Sequence, residues 1–571
     1  MQFTVTLSIS ALFLVLGWLT ADHFPPWVSW HNELWVFAAA LCLAVGGLRS
    51  FKKHNQQLVI VPGLAWTVLG LWFVVLIQCV LGDIGFYGDA LVISFYLFLC
   101  LLALIAGRYA VAQYPRNHQR VTRLLAVDYF AIVLTFGAAC SSAIALAQAL
   151  GVSENVSWIT PMPGLRRPGG NVGQPNQLST LLLMGLASLV YLFETKRLQF
   201  ASTIALYLLL ICGVAVSESR AGILGFLVML VWWWLRYRAA GLRARPGYVF
   251  FWGISMLVLF WYWPPIFSQI NGGGFGVDEA ARVNTSAGAR LIVWPQLIAA
   301  VLEHPGFGWG LGEVSKAHNS VLHSYVNSEP FTYAHNIVLD LAIGIGLPLT
   351  FVLLVLTITW LWRRVSAAQT LLPWYCLALL IPFCVHSMLE FPFAYAYFLA
   401  PAMFVVGVLE GCLAPQFYIR LRWWHAVTVV FCMTVLMAWS VCEYIRIEED
   451  YRVARFEALH IGYTDSPHVR SKVILLTQLD AMLECFRIVP EPVMTQQRIE
   501  LMRKVAIRYP FPVQQNRYAL SLALNGNPDE ALRQLKVIRA MHGEKAFAGI
   551  LGNWKELSDG QYPQLKQLQL P

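Results

Sequence analysis

The sequence predicts an all-α polytopic membrane protein, and three observations support this fold class. Of the 571 residues, 58% are hydrophobic and only 12% are charged. The mean hydropathy is +0.59, and such a composition lies outside the range of soluble domains. The apolar residues come in runs of about twenty, the length that a helix needs to cross a bilayer. A water-soluble protein is therefore excluded.

Thirteen apolar segments are candidate spans. Two of them, 34–48 and 221–236, are short for a hydrocarbon core of about 30 Å, so we predict 12 to 13 transmembrane helices. The first segment lacks a basic leader and a good cleavage site, and we expect it to remain as a span. The segments are 3–20, 34–48, 58–82, 88–107, 124–150, 177–194, 199–216, 221–236, 247–263, 334–361, 371–387, 395–413 and 424–443.

Lysine and arginine are distributed unequally between the connectors. The connectors between the spans alternate between the two sides of the membrane. The connectors on the side that includes Arg49 contain seventeen basic residues in total, whereas those on the other side contain six before the tail. Because basic connectors remain in the cytoplasm, we place the N-terminus inside the cell and the six exceptions outside. The net charge of +9 therefore reflects topology, and we expect no nucleic-acid partner.

This topology predicts four domains. N-terminal transmembrane helices occupy 1–263, a large outer loop 264–333, C-terminal transmembrane helices 334–443 and an outer helical tail 444–571. In the tail, helical apolar spacing is interrupted by Asn525-Gly526-Asn527-Pro528. This pattern predicts a helical hairpin of tetratricopeptide type, and a plain helical bundle is an alternative.

Several well-known catalytic patterns are absent from the sequence. It contains no CxxC pair, HExxH, GxSxG, GxxxxGK[ST] or DxD motif. Zinc enzymes, typical serine hydrolases and phosphate-loop ATPases therefore lose support. We predict neither a metal site nor a cofactor.

The six basic residues on the predicted outer side need an explanation, because they oppose the orientation bias. Anion binding is one, since arginine matches phosphate oxygens with a bidentate fork. Solvated loop charges or headgroup contacts are the alternative. The six are Arg166, Arg167, Arg220, Arg282, Arg290 and Lys316.

Four of these arginines lie in unusual surroundings. Arg166 and Arg167 precede a segment rich in glycine and amides, 168–177, just before a span. Arg220 closes the short turn Ser217-Glu218-Ser219-Arg220, and Arg290 precedes Trp294 and the glycine-alternating turn 304–312. The glycine alternation is not a dinucleotide fingerprint, because no strand precedes it.

His335 is the strongest candidate for a general base among thirteen histidines. It lies where the large loop meets a span, so the helix N-terminus would direct its amides towards an incoming anion. Imidazole there could accept a proton from a hydroxyl nucleophile. His386 and Glu390 lie one helical turn apart, and a hydrogen bond at a helix end is as plausible for them as a role in the site.

Taken in order, these motifs resemble the O-antigen ligase superfamily (Wzy_C type). Within it, the chain most resembles the bacterial protein O-oligosaccharyltransferases, which glycosylate pilins and other periplasmic proteins. The motifs are Gly-Asn-x-Gly-Gln-x-Asn at 170–176, Ser-x-Ser-Arg at 217–220, Arg290 with Trp294 and the turn 304–310, His335-Asn336-Ile337-Val338-Leu339, and 386–392 with Tyr395 and Tyr397.

The resemblance implies transfer of a glycan from undecaprenyl pyrophosphate to a Ser or Thr hydroxyl of a periplasmic, pilin-like acceptor. It implies inversion at the anomeric carbon, without metal or cofactor. The enzyme would lie in the bacterial inner membrane among membrane lipids, with the site, the large loop and the tail facing the periplasm.

The resemblance also implies residue roles. His335 would activate or orient the acceptor hydroxyl, and Arg220 and Arg290 would hold the pyrophosphate. Glu390 and Tyr397 would shape the site. Residues near sugar or phosphate would be Arg166, Arg167, Asn171, Gln174 and Asn176. The stretch 313–330, with His318 and His323, matches none of the family's motifs.

Three alternatives remain open. O-antigen ligation to a lipid A core and O-antigen polymerisation use the same chemistry with other acceptors. The tail 444–571 weighs against a plain ligase, because a lipid-borne acceptor needs no docking domain. A transporter for a lipid-linked glycan would place charges at mid-membrane depth, whereas the candidate charges here collect at the outer face.

Overall fold

The computed structural model describes residues 2–54, 57–111, 124–153, 156–161, 167–270, 278–412, 418–458 and 472–569. Within them lie nineteen α-helices, two β-strands and short 3₁₀ turns. The helices are α1 (Gln2–Leu19), α2 (Trp30–Lys53), α3 (Ala65–Leu81), α4 (Tyr87–Val111), α5 (Ala126–Ala149), α6 (Pro175–Glu194), α7 (Phe200–Ser217), α8 (Arg220–Arg236), α9 (Pro246–Ile270), α10 (Asp278–Glu303), α11 (Val314–Val321), α12 (Ile337–Ala367), α13 (Leu371–Ser387), α14 (Ala396–Cys412), α15 (Trp423–Ala458), α16 (Thr477–Cys485), α17 (Gln496–Arg508), α18 (Pro512–Leu524) and α19 (Pro528–Asp559). The strands are β1 (Leu58–Pro62) and β2 (Tyr418–Arg422).

The helical membrane architecture predicted from composition is confirmed. Seven helices of the described segments are long and apolar enough to cross a membrane, namely α2, α4, α5, α6, α7, α12 and α15. Shorter apolar helices lie within α1, α3, α9, α13 and α14. The count of 12 to 13 spans and their orientation stay predictions.

A small sheet interrupts the helices and corrects one predicted span. Residues 58–62, expected to begin a helix, form β1 and pair antiparallel with β2, with Leu58 opposite Arg422. The run Val59-Ile60-Val61 is β-branched and favours an extended backbone. Pro62 then ends the strand, and α3 starts only at Ala65.

The chain forms two compact units, each built from three segments. Unit 1 comprises 1–70, 96–280 and 355–434, and unit 2 comprises 71–95, 281–354 and 435–571. The four predicted domains follow chain order, and their boundaries stay predictions.

In unit 1, α6 is the central helix. Its apolar residues surround it on all sides and nearly all are buried, as expected for a helix enclosed by other helices. It packs against α5, α7, α8 and α13. Pro175 occupies its first turn, where a proline causes no loss of a hydrogen bond. The polar residues of this turn are thereby held at one end of a rigid core helix.

In unit 2, the glycine-alternating turn packs against a kink in α12. The kink lies at Gly346, whose φ of 77° is left-handed. Trp309 donates a backbone hydrogen bond to the Ile343 carbonyl (2.7 Å). A Cβ on Gly308 would lie 2.5 Å from that carbonyl oxygen. The turn therefore needs glycine for close backbone packing.

The tail in unit 2 is helical, and the predicted hairpin is present. Helix α18 ends at Leu524, the chain turns through Asn525 and Gly526 (φ 82°), and α19 begins at Pro528. The guanidinium of Arg508, from α17, donates two hydrogen bonds to the Asp89 carboxylate at 3.0 and 3.1 Å. This ion pair ties the tail to the first turn of α4.

Candidate functional site

Three segments of unit 1 meet at Asn176, in the first turn of α6. The Asn176 Nδ2 donates to Glu390 Oε1 at 3.3 Å. Its Oδ1 accepts from Ser219 Oγ at 2.8 Å. Ser219 and Glu390 are buried. We name Asn176, Ser219 and Glu390 the Asn176 cluster, which links α6, the start of α8 and the segment after α13.

Further polar pairs lie beside the Asn176 cluster on α6. Thr180 Oγ1 lies 2.8 Å from His386 Nδ1. The hydroxyl of Tyr397 donates to Gln177 Oε1 at 2.7 Å. His386 and Tyr397 are each 1% exposed. Tyr397 thus anchors the start of α14 to α6, and its predicted role in shaping the site stays a prediction.

Arg220 is the first residue of α8, and its side chain is exposed. Ser219 caps the helix, because its Oγ accepts from the Gly222 amide, and the same hydroxyl donates to Asn176. Arg220 makes no hydrogen bond or ion pair with the part of the chain that the structure describes. A cation at the positive end of a helix is suited to binding a phosphate.

Arg167 lies near the same turn. Its Nε donates to the Ser217 carbonyl at 3.2 Å, two residues before the cap of α8. Gln174 precedes α6 at the N-cap position and is half-buried. Arg166, the other predicted arginine of this segment, lies outside the described residues.

Asn171 has a different environment from that expected of a group exposed to substrate. It is fully buried, and its Nδ2 donates to the carbonyls of Leu19 (2.7 Å) and Trp158 (2.9 Å). Its Oδ1 accepts from the Thr160 amide at 3.0 Å. These bonds fix the backbone of three segments.

The remaining predicted residues belong to unit 2. His335 has a left-handed backbone (φ 55°), which is uncommon outside glycine and costs conformational energy. The neighbouring Ala334 is tethered at both ends: its carbonyl accepts from Trp294 Nε1 at 2.8 Å, and its amide donates to the Asp340 carboxylate at 3.1 and 3.2 Å. We name residues 333–336 the His335 turn.

The His335 turn leads directly into α12. Asn336 Oδ1 accepts from the amides of Val338 (3.0 Å) and Leu339 (3.1 Å), which caps the helix. The imidazole of His335 is half-buried and packs on Phe331, with ring centres 4.6 Å apart. Arg290 is partly exposed one turn before Trp294, and residues four apart share a helix face. Arg290 is therefore on the face of α10 that binds the His335 turn.

A buried polar cluster supports the loop before the His335 turn. His318 Nε2 lies 2.9 Å from Gln296 Oε1, which also accepts from Ser328 Oγ at 2.7 Å. Burial lowers the pKa of His318 to about 4, so the imidazole is neutral at pH 7. The Phe331 carbonyl accepts from Ser315 Oγ at 3.2 Å. The stretch 313–330 is thus a support for the segment that carries His335.

The sequence reasoning missed two positioning groups. Asp340 was not singled out, although an acidic residue in the first turn of an apolar helix is itself a signal. Gln177 was not recognised as a partner of Tyr397, and no local pattern indicates a pair 220 residues apart. Among the described residues, no group of three or more His, Cys, Asp or Glu could hold a metal ion.

Comparison with known families gives matches over most of the chain. Residues 168–193 match a model described as protein glycosylation ligase, and 205–354 match the O-antigen ligase model. Residues 374–550 match a model described as the C-terminal part of a virulence factor membrane-bound polymerase. The three matched regions contain most of the predicted site residues.

Two curated relatives are from Acinetobacter baylyi. A general O-oligosaccharyltransferase is 26% identical over 95% of this chain and 93% of its own length. A ComP-specific O-oligosaccharyltransferase is 27% identical over 64% of each chain. The resemblance inferred from the motifs is thus confirmed: the chain is a glycosyltransferase that resembles the O-antigen ligase superfamily and, within it, the O-oligosaccharyltransferases.

Proposed function

We propose that the protein transfers a glycan from undecaprenyl pyrophosphate to Ser or Thr hydroxyls of periplasmic proteins such as pilin. The observation that carries this proposal is Arg220, an exposed cation at the N-terminus of α8, whose cap is fixed by the Asn176 cluster. Such an arrangement suits a leaving pyrophosphate, because the helix terminus that carries the cation is already fixed before negative charge develops.

In the proposed step, the acceptor oxygen attacks the anomeric carbon as the bond to the pyrophosphate oxygen breaks. The hydroxyl proton passes to the His335 imidazole, and the pyrophosphate leaves with its charge held by Arg220 and Arg290. A single displacement gives inversion. Arg167, Gln174, Asn176 and, from the preceding segment, Arg166 contribute polar groups for phosphate or sugar.

For Asn171 we propose a positioning role. Its amide is bonded to three backbone groups and is not exposed. It would therefore maintain the segment that leads to Gln174 and Asn176 without touching the glycan. Glu390 and Tyr397 would likewise shape the site through α6.

We further propose the topology that the chemistry requires. The chain is a multi-pass protein of the bacterial inner membrane, with the Asn176 cluster, the His335 turn and the tail on the periplasmic side. The excess of basic residues in alternate connectors supports this orientation. Labelling of single cysteines in intact cells would test it, with one placed at Gln369, in a connector predicted to be cytoplasmic, and one at Asn525, each in a cysteine-free background. Only Asn525→Cys should react with an impermeant reagent.

The activity is tested with the full chain in nanodiscs. A lipid-pyrophosphate glycan is offered with a pilin-like protein, a lipid A core or a second glycan-lipid as acceptor. We expect glycan on the protein, loss of transfer in His335→Ala, no loss in the matched exposed variant His323→Ala, and no effect of EDTA.

Two other outcomes would redirect the proposal. Transfer to the lipid A core would identify a ligase. Extension of the glycan-lipid would identify a polymerase, the alternative favoured by the family match over 374–550. Equal activity of His335→Ala and the native chain would contradict the assignment of the base.

A further inference from the structure

Unit 1 contains an apolar cavity that the proposed reaction does not use. Its volume is about 370 Å³, within the range of ligand-binding pockets. The walls come from α1, α2, α4, α5, α14 and α15. Alanines such as Ala40 and Ala106 leave the space, and Phe130 and Phe404 border it.

The cavity lies at the opposite end of α5 from the segment that carries Asn171. Its lining includes Ala126 and Val133, in the first turns of α5. At the other end, Gln148 bonds to Gly170 in both directions. Fifteen residues of helix separate Val133 from Gln148, a rise of about 22 Å. The cavity is therefore separate from the Asn176 cluster end of unit 1.

One feature of the lining indicates that the space accommodates an apolar group. Gly47 lines the cavity, and a Cβ added there would meet no atom within 4 Å. Apolar walls without packing partners lose dispersion contacts unless an apolar group fills the space.

One end of the cavity is polar and is formed by a segment of α2 that carries basic residues. Ser50 and His54, at the end of α2, form part of its lining. The neighbouring residues Arg49, Lys52 and Lys53 are exposed. An apolar cavity with basic residues near one end suits an amphipathic anion. The apolar tail of such a ligand would enter the cavity, and its charged head would remain near the basic residues.

We propose that this cavity binds one acyl chain of an anionic phospholipid, with the lipid phosphate at the C-terminal end of α2. The basic residues there attract an anionic headgroup. The predicted orientation places it in the cytoplasmic leaflet. A polyprenyl chain is disfavoured as occupant, because the pyrophosphate of the proposed donor belongs near Arg220. The inference is independent of which acceptor receives the glycan.

The test uses phosphatidylglycerol with a diazirine at the end of one acyl chain. The full chain is irradiated with it in phosphatidylcholine nanodiscs, and labelled peptides are identified by mass spectrometry. We expect labelling of α1, α2 and α5 around the cavity. Gly47→Phe should lower this labelling several-fold, whereas Gly70→Phe, also in a membrane helix with free space at its Cβ, should not.

A second variant tests the headgroup without altering the cavity. Substituting Arg49, Lys52 and Lys53 by glutamine should lower the preference for phosphatidylglycerol over phosphatidylcholine on the order of tenfold. Equal labelling in Gly47→Phe and Gly70→Phe would overturn the proposal. The proposal would also be overturned if unlabelled phosphatidylglycerol and phosphatidylcholine lowered the labelling of the native chain equally. Labelling by a diazirine polyprenyl phosphate, and not by the phospholipid, would overturn it too.

Discussion

In the Asn176 cluster, side chains bond to side chains: Asn176 joins Ser219 and Glu390, and both partners are buried. In the His335 turn, the tethers from Trp294 and Asp340 bond to the backbone of Ala334 instead. The first arrangement fixes the N-terminus of α8, where the side chain of Arg220 is exposed. The second holds a strained backbone and thereby directs the following imidazole. In both regions, mutation can therefore distinguish the candidate reactive side chain, Arg220 or His335, from the residues that hold it in position.

After the loss of transfer expected for His335→Ala, the largest effect is expected for Arg220→Ala. If Arg220 neutralises the leaving pyrophosphate, its loss should lower the transfer rate by about 10²- to 10³-fold. The thermal midpoint should stay within experimental error, because the side chain is exposed and makes no hydrogen bond within the described residues. Initial rates and unfolding curves in detergent measure both. Arg446→Ala is the matched control, because Arg446 is exposed and makes no ion pair or side-chain hydrogen bond within the described residues. A parallel loss of stability would assign Arg220 to the fold.

The support below the His335 turn should depend on pH through His318. Its folded pKa of about 4 is below the unfolded value near 6.5, so the unfolded chain binds the proton first. Stability is complete above about pH 6.5 and is lost as pH falls towards 4. Between pH 7 and 5 the expected loss is about 2 kcal/mol.

The variant His318→Gln isolates this contribution. It cannot be protonated, so its thermal midpoint should fall less than that of the native chain between pH 7 and 5. Parallel curves for the two proteins would show that His318 is not buried in the neutral form.

Trp294→Phe should act on the reaction through the His335 turn. The phenyl ring keeps the packing but cannot donate to the Ala334 carbonyl, and we expect kcat to fall about tenfold, the effect of roughly 1.4 kcal/mol. In a His335→Ala background, the same change should not lower the residual transfer rate further. Independent effects of the two changes on this rate would show that Trp294 does not act through His335.

The smallest effect is expected for Glu390→Gln, which keeps an oxygen for Asn176 Nδ2. Its transfer rate and thermal midpoint should remain close to native. Glu390→Ala leaves the half-buried amide of Asn176 without that acceptor and should cost about 1 kcal/mol of stability. If Gln is as damaging as Ala, the negative charge itself is required, and the cluster does more than position Arg220.

Periodicity and composition predict the helical membrane fold because apolar runs of span length have few other uses. They do not predict β1, where five apolar residues are too few to distinguish strand from helix. The helical hairpin after Leu524 is predicted correctly, since Asn525-Gly526-Asn527-Pro528 is a strong local signal.

Site prediction has a similar limit. Motifs identify Asn176, Arg220 and Glu390 as candidates, and the structure joins Asn176 to Glu390. The burial of Asn171 and the two-sided tether of Ala334 depend on contacts between distant segments, which a single sequence does not encode locally. Only the folded structure therefore shows which of the candidate side chains are buried and which are exposed.

Unit 2 is assembled from three separate segments of the chain, and this limits which gene segments can be exchanged by recombination. A recombination event with one crossover that transfers 435–571 from a relative leaves 71–95 and 281–354 behind. Where the incoming segment lacks an arginine at the position of Arg508, Asp89 loses its ion-pair partner, and an uncompensated buried charge is strongly destabilising. Stable chimeras should therefore take 71–95 and 435–571 from one parent, so that two distant parts of the gene are inherited together.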